Sequence, residues 1–347
     1  MVTPRHLLIF RFSAMGDVAM TIPVIRQLLH QHPDLKVTFV SNTFFRPLFQ
    51  HIDRLEFYPA ELKGVHKGFG GLYRLYKELK VRYSFDAVAD LHNVLRTQVI
   101  RKFFLISSTP VKVIDKGRKG KKELTRKEDK VLKQLPTTFE RYAEVFKQLG
   151  LPIRLNDPLP ALAVSNDDTK SFSQLKDQGY KLVGIAPFAQ HPEKMYPADK
   201  MKEVISMLLG NEKVRIFLFG GGAAENSILQ SWENELPGVT SMSGKMSFEK
   251  ELQHIAQLDT MVSMDSANMH LASLYGVPVV SIWGGTHPFA GFYGWGQSMD
   301  NAVQIALYCR PCSVFGNKTC YRGDLACMHE LSPLAVHQQI LKVLKLN

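Results

Sequence analysis

The sequence has no apolar run long enough to cross a membrane, and it has no cysteine before position 309. A membrane-spanning helix requires roughly 20 consecutive apolar residues. The N-terminal stretch MVTPRHLLIFRF also lacks a small-residue cleavage site after an apolar core. These absences argue against a spanning helix, an export signal and a disulfide-based scaffold. They predict a soluble cytoplasmic protein, and 347 residues with 45% hydrophobic content are enough for two domains.

Acidic residues are scarce in the first half of the chain. Residues 1–150 contain 27 Lys and Arg against 14 Asp and Glu, whereas residues 151–347 contain 16 against 18. Ten of the basic residues fall within 111–133, where there are only four acidic ones. One interpretation of this segment is a solvated, mobile loop. The other is a surface for an anionic partner, which could be nucleic acid, membrane headgroups or an acidic glycan.

Short runs of branched apolar residues alternate with amphipathic helical patterns. This alternation predicts an α/β fold in which doubly wound parallel sheets are covered by helices. The predicted strands occupy 7–12, 36–41, 54–58, 85–91, 111–114, 181–187, 214–220, 259–264, 278–284 and 302–306. The predicted helices occupy 18–31, 44–51, 71–82, 94–104, 138–149, 198–210, 223–235, 247–257, 266–276 and 332–346.

A proline-rich stretch, LPIRLNDPLPALAVSNDD at 151–168, separates two sets of alternating elements and predicts a linker. We therefore expect one doubly wound domain over 1–165, a second over 166–330, and a C-terminal helix over 331–347. Ligands of such sheets bind beyond the carboxyl ends of the strands. The residues that follow predicted strands are therefore the candidates for a functional site.

The first such stretch is FSAMGDVAMT, at 12–21. A strand, a glycine turn and a helix usually bring the backbone close to a ligand, but a phosphate-binding loop would not be expected to carry Asp17. An acid at this position therefore calls for a role other than phosphate binding. The alternative is that Asp17 only caps the following helix.

Three strand ends of the second half open on the same edge of one sheet. Small polar residues at a helix start leave N–H groups free for an anion, and glycines allow close approach of a nucleoside. Together they outline a nucleotide-diphosphate site, with glycines and Glu225 for the nucleoside and with Lys194 and the helix start near Ser266 for the phosphates. Asp265 could instead be a plain cap, and His270 a packed histidine. The glycines lack the full dinucleotide fingerprint, which argues against a dehydrogenase.

Four cysteines, Cys309, Cys312, Cys320 and Cys327, lie in a C-x2-C-x7-C-x6-C cluster. A structural zinc site is one interpretation of this cluster. The spacing is not that of a standard zinc ribbon, so reduced packing thiols or a redox-labile pair are favoured over zinc.

The combined motifs resemble glycosyltransferase family 9, the ADP-heptose:lipopolysaccharide heptosyltransferases, over nearly the whole chain. The matching pieces are SAMGDV after the first strand, EKMYP, MDSANMHLA followed by GVPVVSIWG, and the CRPC…C…CM tail. The resemblance implies a GT-B architecture of two Rossmann-like domains, with the acceptor on the N-terminal one and the nucleotide sugar on the C-terminal one. It implies inverting transfer of a heptose from ADP-heptose to a lipopolysaccharide core or lipid A acceptor, without an essential metal or cofactor.

The resemblance also implies roles for individual residues. Asp17 matches the proposed catalytic base. The residues matched to donor binding are Lys194, Gly221, Gly222, Glu225, Met246, Asp265, Ser266, Ala267 and His270. The candidates for the acceptor side are Ser13, Gly16, Lys63, Lys67, Arg74, Arg118 and Arg126.

Three positions depart from the family pattern: Ala14 where a second serine is common, Tyr196 where tryptophan is frequent, and Ala267 where glycine is usual. We expect the last two to line the donor site, where they would affect which sugar is bound. The expected partners are a nucleotide sugar, an anionic glycolipid and the inner face of the cytoplasmic membrane, without nucleic acid. The alternatives are transfer of another nucleotide sugar, or a nucleic-acid-binding protein that uses the basic segment.

Overall fold

The computed structural model describes residues 3–160, 162–164 and 169–346. Its contacts divide the chain into two compact units. The first comprises the described residues of Met1–Gly117 and Pro136–Pro160, and the second those of Arg118–Leu135 and Ala161–Asn347. The sequence-based boundary between 165 and 166 lies outside the described residues, as do positions 161 and 165–168 of the predicted linker.

Eleven strands and thirteen α-helices lie within the described residues. The strands are β1 (His6–Phe10), β2 (Lys36–Ser41), β3 (Leu55–Pro59), β4 (Ala87–Asp90), β5 (Val111–Val113), β6 (Lys181–Ala186), β7 (Val214–Leu218), β8 (Val239–Ser241), β9 (Thr260–Met264), β10 (Val279–Ile282) and β11 (Ala302–Val303). The helices are α1 (Met15–Ala19), α2 (Thr21–Gln31), α3 (Gly68–Arg82), α4 (Leu95–Ile106), α5 (Arg118–Thr125), α6 (Thr138–Gln148), α7 (Lys170–Asp177), α8 (Ala198–Leu209), α9 (Ala223–Glu235), α10 (Phe248–Ala256), α11 (Ala267–Leu274), α12 (Ala326–His329) and α13 (Pro333–Leu344). None of these helices combines the length and the apolar composition that spanning a bilayer requires.

The first unit contains a parallel sheet in the order β3-β2-β1-β4-β5. Strand β1 is central, and its Leu7 is paired with Val37 on one side and Ala87 on the other. Both faces of β1 are covered, which is why its sequence is a continuous apolar run rather than an alternating one. From β1 the chain first adds strands on one side, β2 and β3, and then on the other, β4 and β5. The carboxyl ends of β1 and β4 therefore flank the topological switch point, where ligands of such sheets bind.

The second unit contains a parallel sheet in the order β11-β10-β9-β6-β7-β8. Here the switch point lies between β6 and β9, whose register pairs Val183 with Thr260. The core includes Ile185, Ile216 and Val262, and the C-terminal helix α13 packs against α8. The predicted α/β fold with two doubly wound parallel sheets is confirmed, and each of the ten predicted strands is present.

Several local predictions were wrong. Strand β8 was missed, and so were α7 and α12. The helix predicted over 18–31 is interrupted at Met20 between α1 and α2, and the one over 44–51 is a 3-10 helix, Thr43–Phe49, with Pro47 inside it.

Residues 118–135, which include most of the basic segment at 111–133, are the largest difference from the sequence-based expectation. Their first half is the helix α5 rather than a mobile loop, with Lys121 and Leu124 buried. Lys121 Nζ lies 4.2 Å from the ring centroid of Phe292, and the Leu135 amide donates to the Phe289 carbonyl at 2.9 Å. These contacts place the segment in the second unit. Arg118 and Arg126, which the sequence assigned to the N-terminal domain, therefore belong to the second unit.

Candidate functional site

Asp17 lies in the first turn of α1, directly beyond the carboxyl end of β1. Its Oδ2 forms an ion pair with Arg11 and accepts a hydrogen bond from the Ala14 amide at 3.4 Å. Among the hydrogen bonds of the described residues, none reaches Oδ1, and the side chain is 31% exposed. Asp17 therefore caps the helix with Oδ2, and its Oδ1 has no hydrogen-bond partner among the described residues.

Arg11 fixes the orientation of Asp17 and was missed by the sequence analysis. Its Nη1 donates to the Leu91 carbonyl at 2.8 Å, while its Nε is buried without a partner among the described residues. Burial acts to lower the pKa of this guanidinium, but Tyr142 and Asp17 raise it on balance. The available signal was a charged side chain directly after a buried strand, inside the run LLIFRF.

His92 lies across the switch point from Asp17, just after β4. Its Nδ1 accepts a hydrogen bond from the Phe12 amide at 3.4 Å. Burial, together with the charge of Arg11, lowers the pKa of His92 to about 3. The imidazole is therefore neutral at physiological pH, and it joins the ends of β1 and β4 without adding charge beside Asp17.

The other acceptor-side candidates of the first unit occupy two places. Ser13 and Gly16 lie in the same β1–α1 turn as Asp17. Lys63, Lys67 and Arg74 are exposed on α3 and the segment before it, and no hydrogen bond or ion pair among the described residues links them to Asp17.

In the second unit, Lys194 and Asp265 form an ion pair. Lys194 ends the short turn after β6, Asp265 follows β9, and Nζ lies 2.9 Å from Oδ2. Their side chains are only 14% and 7% exposed, so the pair is shielded from solvent. The structure therefore brings together two residues that the sequence placed 71 positions apart, and it does so at the switch point of the sheet.

Gly316 supports Lys194 from the other side. Its φ is +74°, and a Cβ added there would lie 2.3 Å from Lys194 Cγ. Its amide donates to Ser313 Oγ at 2.9 Å, which holds the turn in place. The sequence analysis missed Gly316 because it lies 122 residues beyond Lys194 and belongs to no nucleotide-binding motif.

Ser266 is the N-cap residue of α11, next to Asp265. Its Oγ lies 3.0 Å from Ser263 Oγ, so it is held by the end of β9 rather than capping the helix itself. The first turn of α11 therefore has no side-chain cap, and its backbone N–H groups are available to an anion. Ala267 lies in this turn half-buried, and His270 lies buried behind it.

Glu225 lies in the first turn of α9, after β7. Its Oε2 accepts a hydrogen bond from the Gly221 amide at 2.8 Å, and Gly222 has a φ of +88° that disfavours any other residue. A Cβ added at Gly221 would meet nothing within 4 Å, which leaves open space beside this backbone. Met246 follows β8 and is half-buried. The sheet order therefore places Asp265, Lys194, Glu225 and Met246 in sequence along one edge.

Tyr196 does not line this edge, contrary to the sequence-based expectation. It is 3% exposed within the hydrophobic core, and its hydroxyl donates to the Leu331 carbonyl at 2.8 Å. The tyrosine packs the loop after β6 onto the C-terminal part of the chain.

The four cysteines are free thiols that line one small cavity with Arg310 and Arg322. Burial raises the pKa of the Cys327 thiol to about 11. No three His, Cys, Asp or Glu side chains of the described residues are arranged to hold a metal ion. Zinc binding, reduced packing thiols and a redox-labile pair all stay predictions for this cluster.

Three comparisons place these features among known proteins. A family model described as glycosyltransferase family 9 (heptosyltransferase) matches residues 72–321. The lipopolysaccharide core heptosyltransferase OpsX of Haemophilus influenzae is 25% identical over 87% of this chain and 85% of its own length. The lipooligosaccharide heptosyltransferase 2 of Campylobacter jejuni is 30% identical over 58% of each chain.

Solved structures share the fold. A family 9 glycosyl transferase from Veillonella parvula has a TM-score of 0.74 and 18% identity, with coverage of 98% of this chain and 97% of that one. The E. coli heptosyltransferase WaaC with ADP has a TM-score of 0.66 and 19% identity, with coverage of 97% and 99%. The predicted GT-B fold, with two Rossmann-like units, is thus confirmed.

Proposed function

The chain belongs to glycosyltransferase family 9, and from this membership we propose that it transfers a heptose from ADP-heptose to a lipopolysaccharide core or lipid A acceptor, with inversion at the anomeric carbon. Similar proteins are named lipopolysaccharide core heptosyltransferase and lipopolysaccharide heptosyltransferase 2. Structures of the same fold are described with ADP and with ADP-2-deoxy-2-fluoro heptose. The donor is a substrate, and the proposal includes no cofactor.

The shielded ion pair of Lys194 and Asp265 is the observation that carries this proposal. Negative charge grows on the diphosphate as the sugar leaves, and a cation held in place beforehand stabilises that charge. Asp265 holds the Lys194 ammonium at 2.9 Å, so the cation is positioned before the donor arrives. The helix start at Ser266 adds N–H donors beside it, worth about 0.3–1 kcal/mol or more for an anion.

The nucleoside then lies toward β7 and β8. Glu225 is held by the Gly221 amide and keeps acceptor capacity for ribose hydroxyls. Met246 supplies an adaptable apolar contact for the base. Gly221, Gly222, Ala267 and His270 complete the donor-binding set.

Asp17 is the proposed base. In the inverting step, the acceptor oxygen forms its bond to C1 while the bond from C1 to the diphosphate oxygen breaks. The acceptor proton passes to Asp17 Oδ1, and the electron pair leaves with ADP. Arg11 binds the opposite oxygen of the carboxylate, so Oδ1 is the atom that can receive the proton.

The acceptor is an anionic glycolipid, which we place on the first unit with Ser13, Gly16, Lys63, Lys67 and Arg74. The location proposed for the protein is the inner face of the cytoplasmic membrane, with peripheral association and no nucleic-acid partner. Arg118 and Arg126 stay candidates for acceptor contacts, contributed by the second unit.

The test is incubation of the protein with ADP-heptose and a heptose-deficient lipopolysaccharide acceptor. We expect release of ADP, a product heavier by one heptose, and an inverted anomeric configuration by NMR. UDP- and GDP-sugars serve as competing donors, and turnover with one of these but not with ADP-heptose would overturn the donor assignment. A retained configuration would overturn inversion.

The second unit offers a matched control for the donor site. Lys181 pairs with Asp259 at the amino end of β6, with Nζ 3.8 Å from Oδ1. Lys194→Gln should weaken ADP binding in calorimetry, whereas Lys181→Gln should leave it unchanged. Equal affinities for the wild type and Lys194→Gln would contradict the phosphate role.

A further inference from the structure

Helices α3 and α4 contain basic residues almost without acids. Their 27 residues contain seven Lys and Arg and one acid, Glu78. Glu78 accepts from the Tyr58 hydroxyl at 2.8 Å and lies 3.0 Å from His66 Nε2. Burial acts to raise the pKa of Glu78, but these two partners and, of the exposed basic residues, Arg74 lower it on balance. Of the seven basic residues, Arg82 pairs with Glu56 and Arg101 with Asp90. The other five, Arg74, Lys77, Lys80, Arg96 and Lys102, make no ion pair among the described residues.

Aromatic side chains lie among these charges. Phe69 is 68% exposed and Tyr73 is 45% exposed. Both rings contact Phe103, with centroid distances of 5.6 Å and 5.3 Å. Lys77 Nζ lies 5.8 Å from the centroid of the Tyr73 ring. Positions 69, 73 and 77 share one side of α3, because residues four apart are neighbours on a helix.

The opposite side of α3 faces the core. Leu72, Leu75 and Leu79 are buried and supply the packing energy of the helix. Phe69 and Tyr73 lie outside this buried set and leave large parts of their rings exposed to water. We define the α3–α4 face as Phe69, Tyr73 and Phe103 with Lys67, Arg74 and Lys77.

We propose that the α3–α4 face docks the protein onto an anionic lipid bilayer. A tyrosine ring favours the headgroup region, where its apolar body and its hydroxyl are both satisfied, and a neighbouring phenylalanine ring gains by leaving water. Basic side chains beside them are attracted to anionic headgroups, each by an amount that corresponds to about a fivefold change in affinity. The α3–α4 face combines isolated apolar side chains with long Lys and Arg side chains that make no ion pair. Such a face fits the deformable, negatively charged surface of a bilayer better than the rigid surface of a protein.

The inference deepens the proposed function, because a glycolipid acceptor is embedded in a bilayer. It does not depend on the identity of the sugar. The docking experiment therefore uses vesicles that contain no glycolipid acceptor and no nucleotide sugar. Vesicles of phosphatidylcholine alone are compared with vesicles that also contain phosphatidylglycerol, and bound protein is measured by co-sedimentation.

We expect the full-length protein to bind the anionic vesicles and to be released by salt, because exposed charges are screened beyond about 10 Å at 0.1 M salt. The double variant Phe69→Ser, Tyr73→Ser should bind about tenfold more weakly, since two apolar rings no longer enter the interface. Tyr308→Ser is the matched aromatic control, because Tyr308 is 79% exposed in the second unit. Lys77→Gln should weaken binding about fivefold, and Lys147→Gln, whose side chain is 68% exposed on α6, is its control.

Transfer to a soluble, delipidated acceptor should be unchanged in the double variant, whereas transfer to a vesicle-embedded acceptor should fall with vesicle binding. The docking proposal would be overturned if the wild-type protein did not bind anionic vesicles. It would also be overturned if the double variant bound them as tightly as the Tyr308→Ser control. If the protein bound these vesicles but transferred no heptose, the docking proposal would be supported and the proposed function would be wrong.

Discussion

Lys194 Nζ lies 2.9 Å from Asp265 Oδ2, and this contact joins the loops after β6 and β9 where the winding of the second sheet reverses. The ammonium is thus held by a buried carboxylate before any phosphate arrives. If the donor diphosphate binds this ammonium as proposed, it adds negative charge there, and the stability of the pair and the affinity for the donor are then linked.

We expect Asp265→Asn to lower the free energy of unfolding by about 3 kcal/mol, because it leaves a buried ammonium without its counter-charge. Saturating ADP should restore more stability to this variant than to the wild type, since the phosphates replace the missing charge. Denaturant melts with and without ADP measure both effects. Asp259→Asn is the control at the exposed pair, where we expect a loss of about 1 kcal/mol or less. Equal losses in the two variants would contradict the special role of Asp265.

Gly316→Ala should weaken donor binding about tenfold or more, because the new methyl group displaces the Lys194 side chain. Gly323→Ala separates this effect from backbone strain. Gly316 and Gly323 have φ of +74° and +80°, but a Cβ added at Gly323 meets nothing within 4 Å. Both variants should lose comparable stability, and only Gly316→Ala should lose affinity for ADP in calorimetry. A similar loss of affinity in both would show that Gly316 does not position Lys194.

Asp17→Asn should lower turnover by about a hundredfold or more, because the amide cannot accept the acceptor proton. Affinity for ADP should stay the same, since Asp17 and the donor residues belong to different units. Single-turnover transfer and calorimetry measure the two quantities. Asp34→Asn, at an exposed position of the same unit, controls for the change in net charge. Nearly normal turnover of Asp17→Asn would remove this residue from the mechanism.

The stability of the protein should fall as the pH drops below 6.5, in part because of His92. Burial, with the charges of Arg11, Lys116 and Arg96, lowers its pKa from 6.5 to about 3. Between these values the unfolded chain binds a proton that the folded protein does not, so each pH unit costs up to about 1.4 kcal/mol. His92→Asn should reduce the slope of unfolding free energy against pH over this range. His287, whose pKa burial lowers to about 4, leaves a residual slope. An unchanged slope in the variant would show that His92 is not the titrating group.

Buried strands were the most predictable elements of this chain. A strand covered on both faces must be continuously apolar, and runs such as KLVGIA at 181–186 carry that signal in their own residues. The candidate donor residues were predictable for a related reason, because parallel strands bring all their carboxyl ends to one edge. The ion pair itself was not predictable, since it depends on the register between β6 and β9 and on the path of the loop to Lys194.

Helix α5 shows why other elements could not be predicted. The sequence RKGKKELT is strongly basic and contains a glycine, so by itself it favours a loop. It is helical because Leu124 is buried and because Lys121 lies over Phe292, a residue far along the chain. Arg11 was missed in the same way: its partners Asp17 and Leu91 come from separate segments, and only the folded sheet brings them together.

Residues 118–135 belong to the second unit, although the chain before and after them belongs to the first. This affects how either unit can be expressed alone. The chain leaves the first unit after Gly117, returns at Pro136 and leaves it again after Pro160. A fragment that ends near position 160 would therefore carry residues 118–135 without Phe289 and Phe292, which Leu135 and Lys121 contact. A fragment that begins beyond position 160 would lack the segment that covers its aromatic residues. To express either unit alone, residues 118–135 should stay joined to the second unit. This requires a rearranged gene, because dividing the chain at one position does not separate the units.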